Sequence, residues 1–250
     1  MKILDRTLHR RSLRKWQESA RDSPMTDLAT LRRARLRARP LLTALGALIR
    51  TADARLEQHP PHAPGLPHGT DWSWRPEVWQ GPLPEPGIAA PDGQSMLGRD
   101  MTVFHDCPRS ELSLRQAPNP SEAGGAPYAL HLDVFAFEGS FLSLVLDLPQ
   151  AAMDGLTRQH LLRLDTRVAL EKPLRIYARI NVRHGPDTEQ IVHELPRDES
   201  GTAVEFDLAY TAINEKRLDR AWIDLIFETP HMSQAVLRDV TVSRRLRAAL

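Results

Sequence analysis

The sequence predicts a mainly β protein, an antiparallel β-sandwich or jelly roll preceded by an N-terminal α-helical arm. Between residues 101 and 245, apolar and polar residues alternate in about ten short segments, which is the period of strands with one buried face. Before residue 59, apolar residues recur at helical spacing instead. The charge changes at the same point, because residues 1–58 carry 14 Arg and Lys against 6 Asp and Glu. Their net charge is +8, and that of residues 59–250 is −7.

Residues 1–58 are the predicted basic arm, which contains two helices. The first should end near residues 22–24, and Thr26 or Asp27 can cap the second by accepting from free amides of its first turn. Apolar residues then follow a seven-residue repeat as far as Leu56, a pattern typical of a coiled coil. Arg35 interrupts this repeat, and Pro40 is expected to kink or restart the helix.

The function of this arm has competing interpretations. Self-association, or pairing with the acidic body, is favoured and predicts a homo-oligomer formed through the N-terminal helices. An anionic membrane surface is an alternative, because amphipathic helices rich in arginine bind such surfaces. Nucleic acid is not favoured as a partner. Arginine occupies every second position from 33 to 39, so these side chains spread around the helix and form no single stripe, and no aromatic residues interleave with them.

Residues 59–100 are predicted to form a connector rich in proline and tryptophan. Nine prolines disfavour a helix or a central strand here. Trp72, Trp74 and Trp79 would expose large apolar surfaces in a free linker, so residues 71–80 are expected to lie against the body.

Residues 101–250 are predicted to form the sandwich itself. The alternation is clearest at residues 130–137, 141–148, 162–171 and 174–183. Further strands are expected at 101–105, 111–116, 190–195, 203–208, 221–228 and 235–243, with short helical interludes near 150–158 and 212–218.

One strand has a polar face that predicts a ligand-binding site. Five side chains project opposite the apolar ones of residues 174–182, namely Arg175, Tyr177, Arg179, Asn181 and Arg183. Guanidinium groups interleaved with a phenol and an amide suit a glycan or an anionic ligand. The alternative is a solvent-facing surface whose arginines pair with Asp165, Glu171 or Glu189 on adjacent strands.

Sequence signatures of catalysis are absent, which favours a protein that is not an enzyme and predicts no cofactor or metal. The chain contains no GxxxxGK[ST], GxGxxG, HExxH or GxSxG. His105, Asp106 and Cys107 carry suitable groups for a thiol nucleophile, but a strand end with a buried cysteine explains them better. The single cysteine excludes an intrachain disulfide and favours the cytoplasm, and the uncharged residues 40–49 are too few to span a bilayer.

Several stretches resemble an uncharacterised family of bacterial proteins that is defined only as a domain of unknown function. They are GTDWSWRPEVWQGPLP, MLGRDMTVFHDC, GSFLSLVLDLP, EKPLRIYARINVRHGPDTEQIV and VEFDLAY with NEKRLDRAWIDLIFE. The resemblance runs over nearly the whole chain and implies no catalytic residue, cofactor or substrate. More distantly, VLRDVTVSRR near the C-terminus is similar to the last strand of galactose-binding-like jelly rolls, a superfamily that includes many carbohydrate-binding modules.

Together these observations predict a non-enzymatic binding protein, with a β-sandwich module for a glycan or another polar or anionic ligand and a helical arm for self-association or docking. Two alternatives belong to other classes. One is a polysaccharide-active hydrolase or transferase, whose paired carboxylates the sequence does not single out. The other is an assembly or scaffold protein whose arm carries the function.

Overall fold

The computed structural model describes residues 3–57, 66–119, 125–196, 198 and 201–247. Two compact units are present, Met1–Leu56 and Glu57–Leu250. The first is helical and the second contains two antiparallel sheets, so the predicted fold class is confirmed. The boundary between the units lies within two residues of the point at which the charge and the hydrophobic period change.

The first unit contains two helices, α1 (Ile3–Asp22) and α2 (Leu28–Glu57), joined by a 3-10 turn. Asp27 caps α2, because its Oδ1 atom accepts hydrogen bonds from two backbone amides of the first turn, each at 3.0 Å. The helix continues through Pro40, so the predicted restart at that residue was wrong. Among the described residues, no helix is long and apolar enough to cross a membrane.

The second unit is a sandwich of a seven-stranded and a six-stranded sheet. The larger sheet has the order β11-β8-β13-β6-β5-β2, and β1 also pairs with β13. Its strands are β1 (Thr70–Trp74), β2 (Gly87–Ala89), β5 (Glu111–Pro118), β6 (Tyr128–Ala136), β8 (His160–Leu170), β11 (Thr202–Asp207) and β13 (Ser233–Leu246).

The smaller sheet has the order β10-β9-β12-β7-β4-β3. Its strands are β3 (Gln94–Leu97), β4 (Met101–His105), β7 (Leu142–Asp147), β9 (Ile176–His184), β10 (Asp187–Glu194) and β12 (Leu218–Phe227). The helical interlude expected near residues 150–158 is a 3-10 turn at Gln150–Ala152. The one expected near residues 212–218 was wrong, because a 3-10 turn occurs earlier, at Leu208–Tyr210, and residues 212–217 contain no helix.

The inward faces of the two sheets form one hydrophobic core. Alternate residues of β5, β6, β8 and β9 are buried there, as the period of two predicts, and the largest fully buried side chains include Trp79, Phe206 and Phe227. The opposite face of each sheet is therefore the surface on which polar side chains can meet a ligand.

The segment predicted as a connector folds with the sandwich. It contributes β1, β2, β3 and the short helix α3 (Glu77–Gln80). Its three strands lie at sheet edges or beside the end of β13, which agrees with the depletion of proline in central strands. Trp79 is fully buried, and its Nε1 atom donates to the Leu237 carbonyl oxygen at 2.8 Å. The expected packing of residues 71–80 against the body is thus present.

A buried glutamine holds this segment in place. The Nε2 atom of Gln116 on β5 donates to the carbonyl oxygens of Val78 at 2.7 Å and Gly81 at 2.8 Å. Its Oε1 atom accepts from the Leu83 amide at 2.9 Å. One side chain therefore satisfies three backbone groups of a segment that has few ladder hydrogen bonds of its own.

Candidate functional site

The five predicted ligand-binding residues lie on or next to β9, in the smaller sheet. Alternate residues of β9, from Ile176 to Val182, are buried in the core, and the intervening ones point to the opposite side of the sheet. Tyr177 and Arg179 are half-buried on that outer face, and Arg183 is exposed. Asn181 is fully buried, although it belongs to the polar set. Arg175 precedes the strand and is also exposed.

The strand β12 lies beside β9 and completes this outer face. In the register of the two strands, Tyr177 is opposite Ile226, Arg179 is opposite Asp224, and Asn181 is opposite Trp222. The next strand, β7, continues the rows, with Asp147 beside Trp222. We call these outward-facing residues of β9, β12, β7, β4 and β10 the outer face.

A buried polar cluster stands at the centre of the outer face. Asp224 is only 3% exposed, and its Oδ2 atom accepts from Nε and Nη2 of Arg179 at 2.7 and 2.6 Å. The same oxygen accepts from Nδ2 of Asn181 at 3.0 Å. Gln190 on β10 donates to Oδ1 of Asn181 at 2.8 Å. Three strands thus share one hydrogen-bond network, which fixes the rotamers of all four side chains.

The carboxylate of Asp224 has acceptor capacity left. Its hydrogen bonds all go to Oδ2, and none of the described residues donates to Oδ1. An ionised carboxylate has about four lone-pair sites, so Oδ1 can accept from a hydroxyl of a bound molecule.

The other arginines of the outer face are also paired with acidic residues. Arg175 pairs with Glu228, and Arg183 lies 3.9 Å from a carboxylate oxygen of Asp219. The three arginines predicted from the sequence therefore all have an acidic partner on or immediately after β12. These partners differ from the three that the sequence suggested, and Asp165 instead pairs with Arg163 on its own strand.

Aromatic rings border the polar cluster. Tyr177 and Trp222 flank it on β9 and β12, and both are half-buried. Arg220, which is ion-paired with Asp147, places its guanidinium 5.1 Å from the centre of the Trp222 ring. Phe104 on β4 lies in the same row as Tyr177, three strands away. The usual spacing between strands puts these two residues about 14 Å apart. The outer face thus combines flat apolar rings with fixed polar groups.

The sequence prediction of the site includes only residues on or next to β9 and lacks those of the neighbouring strands. Trp222, Asp224 and Ile226 alternate with the core residues Ile223 and Leu225, so period two places them together on an outward face. That signal is present in the sequence. Their position beside Arg179 and Asn181 depends on strand pairing, which the sequence does not show.

Other features of the structure are less suited to bind a ligand. A cavity of about 270 Å³ opens between the ends of the sheets, but most of its lining is apolar. The hydroxyls of Thr166 and Thr202, which also line it, lie 3.3 Å apart and bond to each other. A second cavity of about 300 Å³ follows residues 66–73.

The residues His105-Asp106-Cys107 form a strand end with a buried cysteine, as the sequence predicts. His105 and Cys107 are buried, and the thiol donates to the Arg109 carbonyl oxygen at 2.9 Å. Asp106 accepts from the Ser140 hydroxyl and from the backbone amides of Phe141 and Ser140, and these hydrogen bonds lower its pKa. In the described part of the chain, no three His, Cys, Asp or Glu residues gather closely enough to hold a metal ion.

Comparisons with solved structures find proteins of low similarity. The enzymatically active domain of tailspike protein 4 from bacteriophage CBA120 is 10% identical, with a TM-score of 0.41; the match covers 59% of this chain and 19% of that chain. This chain therefore spans much less than the full length of the tailspike chain.

Two carbohydrate-binding modules give similar values. The family 11 module from Clostridium thermocellum, solved with a β-1,3-1,4-mixed-linked tetrasaccharide, is 10% identical with a TM-score of 0.40, covering 65% of this chain and 97% of that one. The CBM22-1 xylan-binding domain of Xyn10C from Paenibacillus barcinonensis is 13% identical with a TM-score of 0.37, covering 65% and 94%. Similarity at this level does not identify a ligand.

The sequence itself matches a protein family. No curated protein matches the chain. A family profile matches residues 1–250, and it is described as a family of unknown function, DUF6478. The resemblance noted in the sequence is thereby confirmed, and the chain belongs to the DUF6478 family.

Proposed function

We propose that this protein is a binding protein whose outer face recognises a neutral glycan. The observation that carries the proposal is the buried network of Arg179, Asp224, Asn181 and Gln190, bordered by the rings of Tyr177 and Trp222. A polar network of this kind positions donors and acceptors for hydroxyl groups, and aromatic rings pack against the apolar faces of sugar rings.

The ion pairs favour a neutral ligand over an anionic one. Each arginine predicted as an anion contact already has a carboxylate partner, and Arg220 is held by Asp147 in the same way. An anionic ligand would have to displace those carboxylates or be repelled by them. A glycan hydroxyl can instead donate to Oδ1 of Asp224 and leave the ion pair intact.

The dimensions of the outer face favour an oligosaccharide over a single sugar. Tyr177 and Phe104 lie in one row across the outer face, separated by three strand spacings or about 14 Å. A single pyranose ring contacts only one of them, whereas a short chain of sugars can contact both.

Binding of the full-length protein to an array of neutral and acidic oligosaccharides tests this proposal. We expect signal on neutral glycans, and we expect Tyr177→Ala to weaken it at least about fivefold, because removing an aromatic ring that contacts the ligand costs about 1 kcal/mol or more. Tyr210→Ala is the matched control, since Tyr210 is 82% exposed and follows β11 in the other sheet.

Two results of this experiment would refute the proposal. Equal binding by the wild type and Tyr177→Ala would remove the outer face as the site. Binding confined to acidic glycans would show that the arginines, and not the hydroxyl-directed network, dominate recognition.

A further inference from the structure

The helix α2 carries a continuous apolar face that differs from the predicted seven-residue seam. At 100° per residue, its apolar residues gather in a sector about 120° wide. The members with described side chains are Leu31, Ala34, Ala38, Leu41, Leu42, Leu45 and Leu48. Leu28 and Leu36 fall outside this sector, and so do all the arginines of the helix. We call this sector the apolar face of α2.

The C-terminal part of the apolar face of α2 is exposed, whereas Leu31, Ala34 and Ala38 in its N-terminal part are half-buried. Leu42 is 73% exposed, Leu45 is 56% exposed and Leu48 is 65% exposed. A helix of 30 residues that leaves a row of leucines in water loses the burial that normally stabilises an amphipathic helix. Such a face indicates a partner that accepts apolar side chains.

The charges around this face identify the chemistry of the partner. Residues 28–52 contain six arginines and no aspartate or glutamate. Arg35 and Arg37 each lie about 20° beyond one border of the apolar sector, where a long side chain can extend its charged end away from the leucines. A partner must therefore offer an apolar layer with negative charge immediately above it.

A second copy of this chain does not meet that requirement as well. In a parallel pair of α2 helices, the arginines beside the seam of one copy would face those of the other without acidic residues between them. Nucleic acid supplies the negative charge, but phosphate contacts leave the leucines in water. The surface of an anionic bilayer satisfies both the leucines and the arginines.

We propose that α2 is an interfacial helix, which lies parallel to an anionic bilayer with its apolar face among the acyl chains and its arginines at the lipid headgroups. The helix is too polar to cross the bilayer, as expected for a helix that lies on its surface. This inference uses only residues of the arm and is independent of the glycan proposal.

Sedimentation of the full-length protein with lipid vesicles tests the inference. One set of vesicles contains phosphatidylcholine alone, and the other contains phosphatidylcholine mixed with phosphatidylglycerol. We expect binding to the anionic vesicles only, and we expect it to weaken as salt is added because the arginine contribution is screened.

One triple variant and one double variant distinguish the apolar face from the rest of the helix. Leu41→Gln/Leu45→Gln/Leu48→Gln should bind the anionic vesicles at least about tenfold more weakly, because three leucines no longer enter the bilayer. Leu28→Gln/Leu36→Gln is the matched control and should bind like the wild type, because these leucines are even more exposed than the three others but lie outside the apolar face. Circular dichroism of each variant must show the helical signal of the wild type.

Three outcomes would overturn the inference. The first is equal binding to both kinds of vesicle, and the second is an equal loss of binding in the triple variant and its control. The third is a stable dimer, seen by analytical ultracentrifugation without vesicles and lost in the triple variant, which would make a second copy the partner of this face.

Discussion

The ion pair between Arg179 and Asp224 should contribute measurably to the stability of the sandwich. Replacing Arg179 by methionine keeps most of the side-chain volume but leaves a carboxylate that is 3% exposed with one remaining donor, Asn181. Breaking a buried ion pair from one side costs about 3–5 kcal/mol. The Arg179 side chain is 36% exposed, so water can replace part of the lost interaction, and we expect the free energy of unfolding to fall by about 2–4 kcal/mol.

Arg183 provides a matched control on the same strand and the same face. Its side chain is 51% exposed, and the nearest carboxylate oxygen, on Asp219, is 3.9 Å away. Arg183→Met should therefore change the free energy of unfolding by less than about 0.5 kcal/mol. The double variant Arg179→Met/Asp224→Leu should recover most of the stability lost in Arg179→Met, because no unpaired charge remains.

Urea unfolding followed by tryptophan fluorescence measures these differences through the shift of the midpoint at constant slope. The reasoning is refuted if Arg179→Met loses no more stability than Arg183→Met. It is refuted as well if the double variant is no more stable than Arg179→Met, since the cost would then come from packing and not from an unpaired charge.

Three further predictions concern other parts of the chain. Gln116→Leu should lower the free energy of unfolding by about 2–4 kcal/mol, because three buried backbone groups lose their partner, and a loss below about 1 kcal/mol in urea would contradict this. Burial raises the pKa of Asp100 to about 6, so the native state binds more protons than the unfolded state between about pH 4 and pH 6 and stability should fall as the pH rises through that window. Asp100→Asn should flatten this dependence of stability on pH, measured as the melting temperature at each pH. An unchanged slope would rule out Asp100 as its source. Asp27→Ala should destabilise α2, seen as lower helical circular dichroism on mild heating, whereas an unchanged signal would show that the cap contributes nothing.

The sequence predicted the elements of the sandwich well because most of its strands bury one face and expose the other. β4 has the predicted bounds, Met101–His105, and the strands from β5 to β13 lie where alternation placed them. The short strands β1, β2 and β3 escaped prediction because prolines mask the pattern of this segment. β1 and β2 also pair with strands that are not their neighbours in sequence, β13 and β5, whereas β3 forms a hairpin with β4. At Pro40 the sequence predicts a kink or a restart of the helix. The helix does not restart there, since α2 continues through Pro40 despite the missing amide.

The candidate site was predicted in part, and the limit has a physical cause. Period two placed Tyr177, Arg179 and Asn181 on one side of β9, which the structure retains. The burial of Asn181 and the carboxylate that holds Arg179 arise from the pairing of β9 with β12, more than 40 residues later in the chain. The sequence prediction arranged the apolar residues of α2 in a seven-residue seam, which includes Arg35. In a continuous helix of 3.6 residues per turn, the apolar face excludes Arg35 and the other arginines.

Hydrogen–deuterium exchange of the full-length protein, with and without the neutral oligosaccharide that binds most strongly on the array, locates the glycan on the sandwich. If the outer face is the binding surface, added glycan should slow exchange in peptides from β9 and β12, while peptides from β8 and β13 in the other sheet stay unchanged. Protection confined to the seven-stranded sheet, or no protection at saturating glycan, would contradict the account.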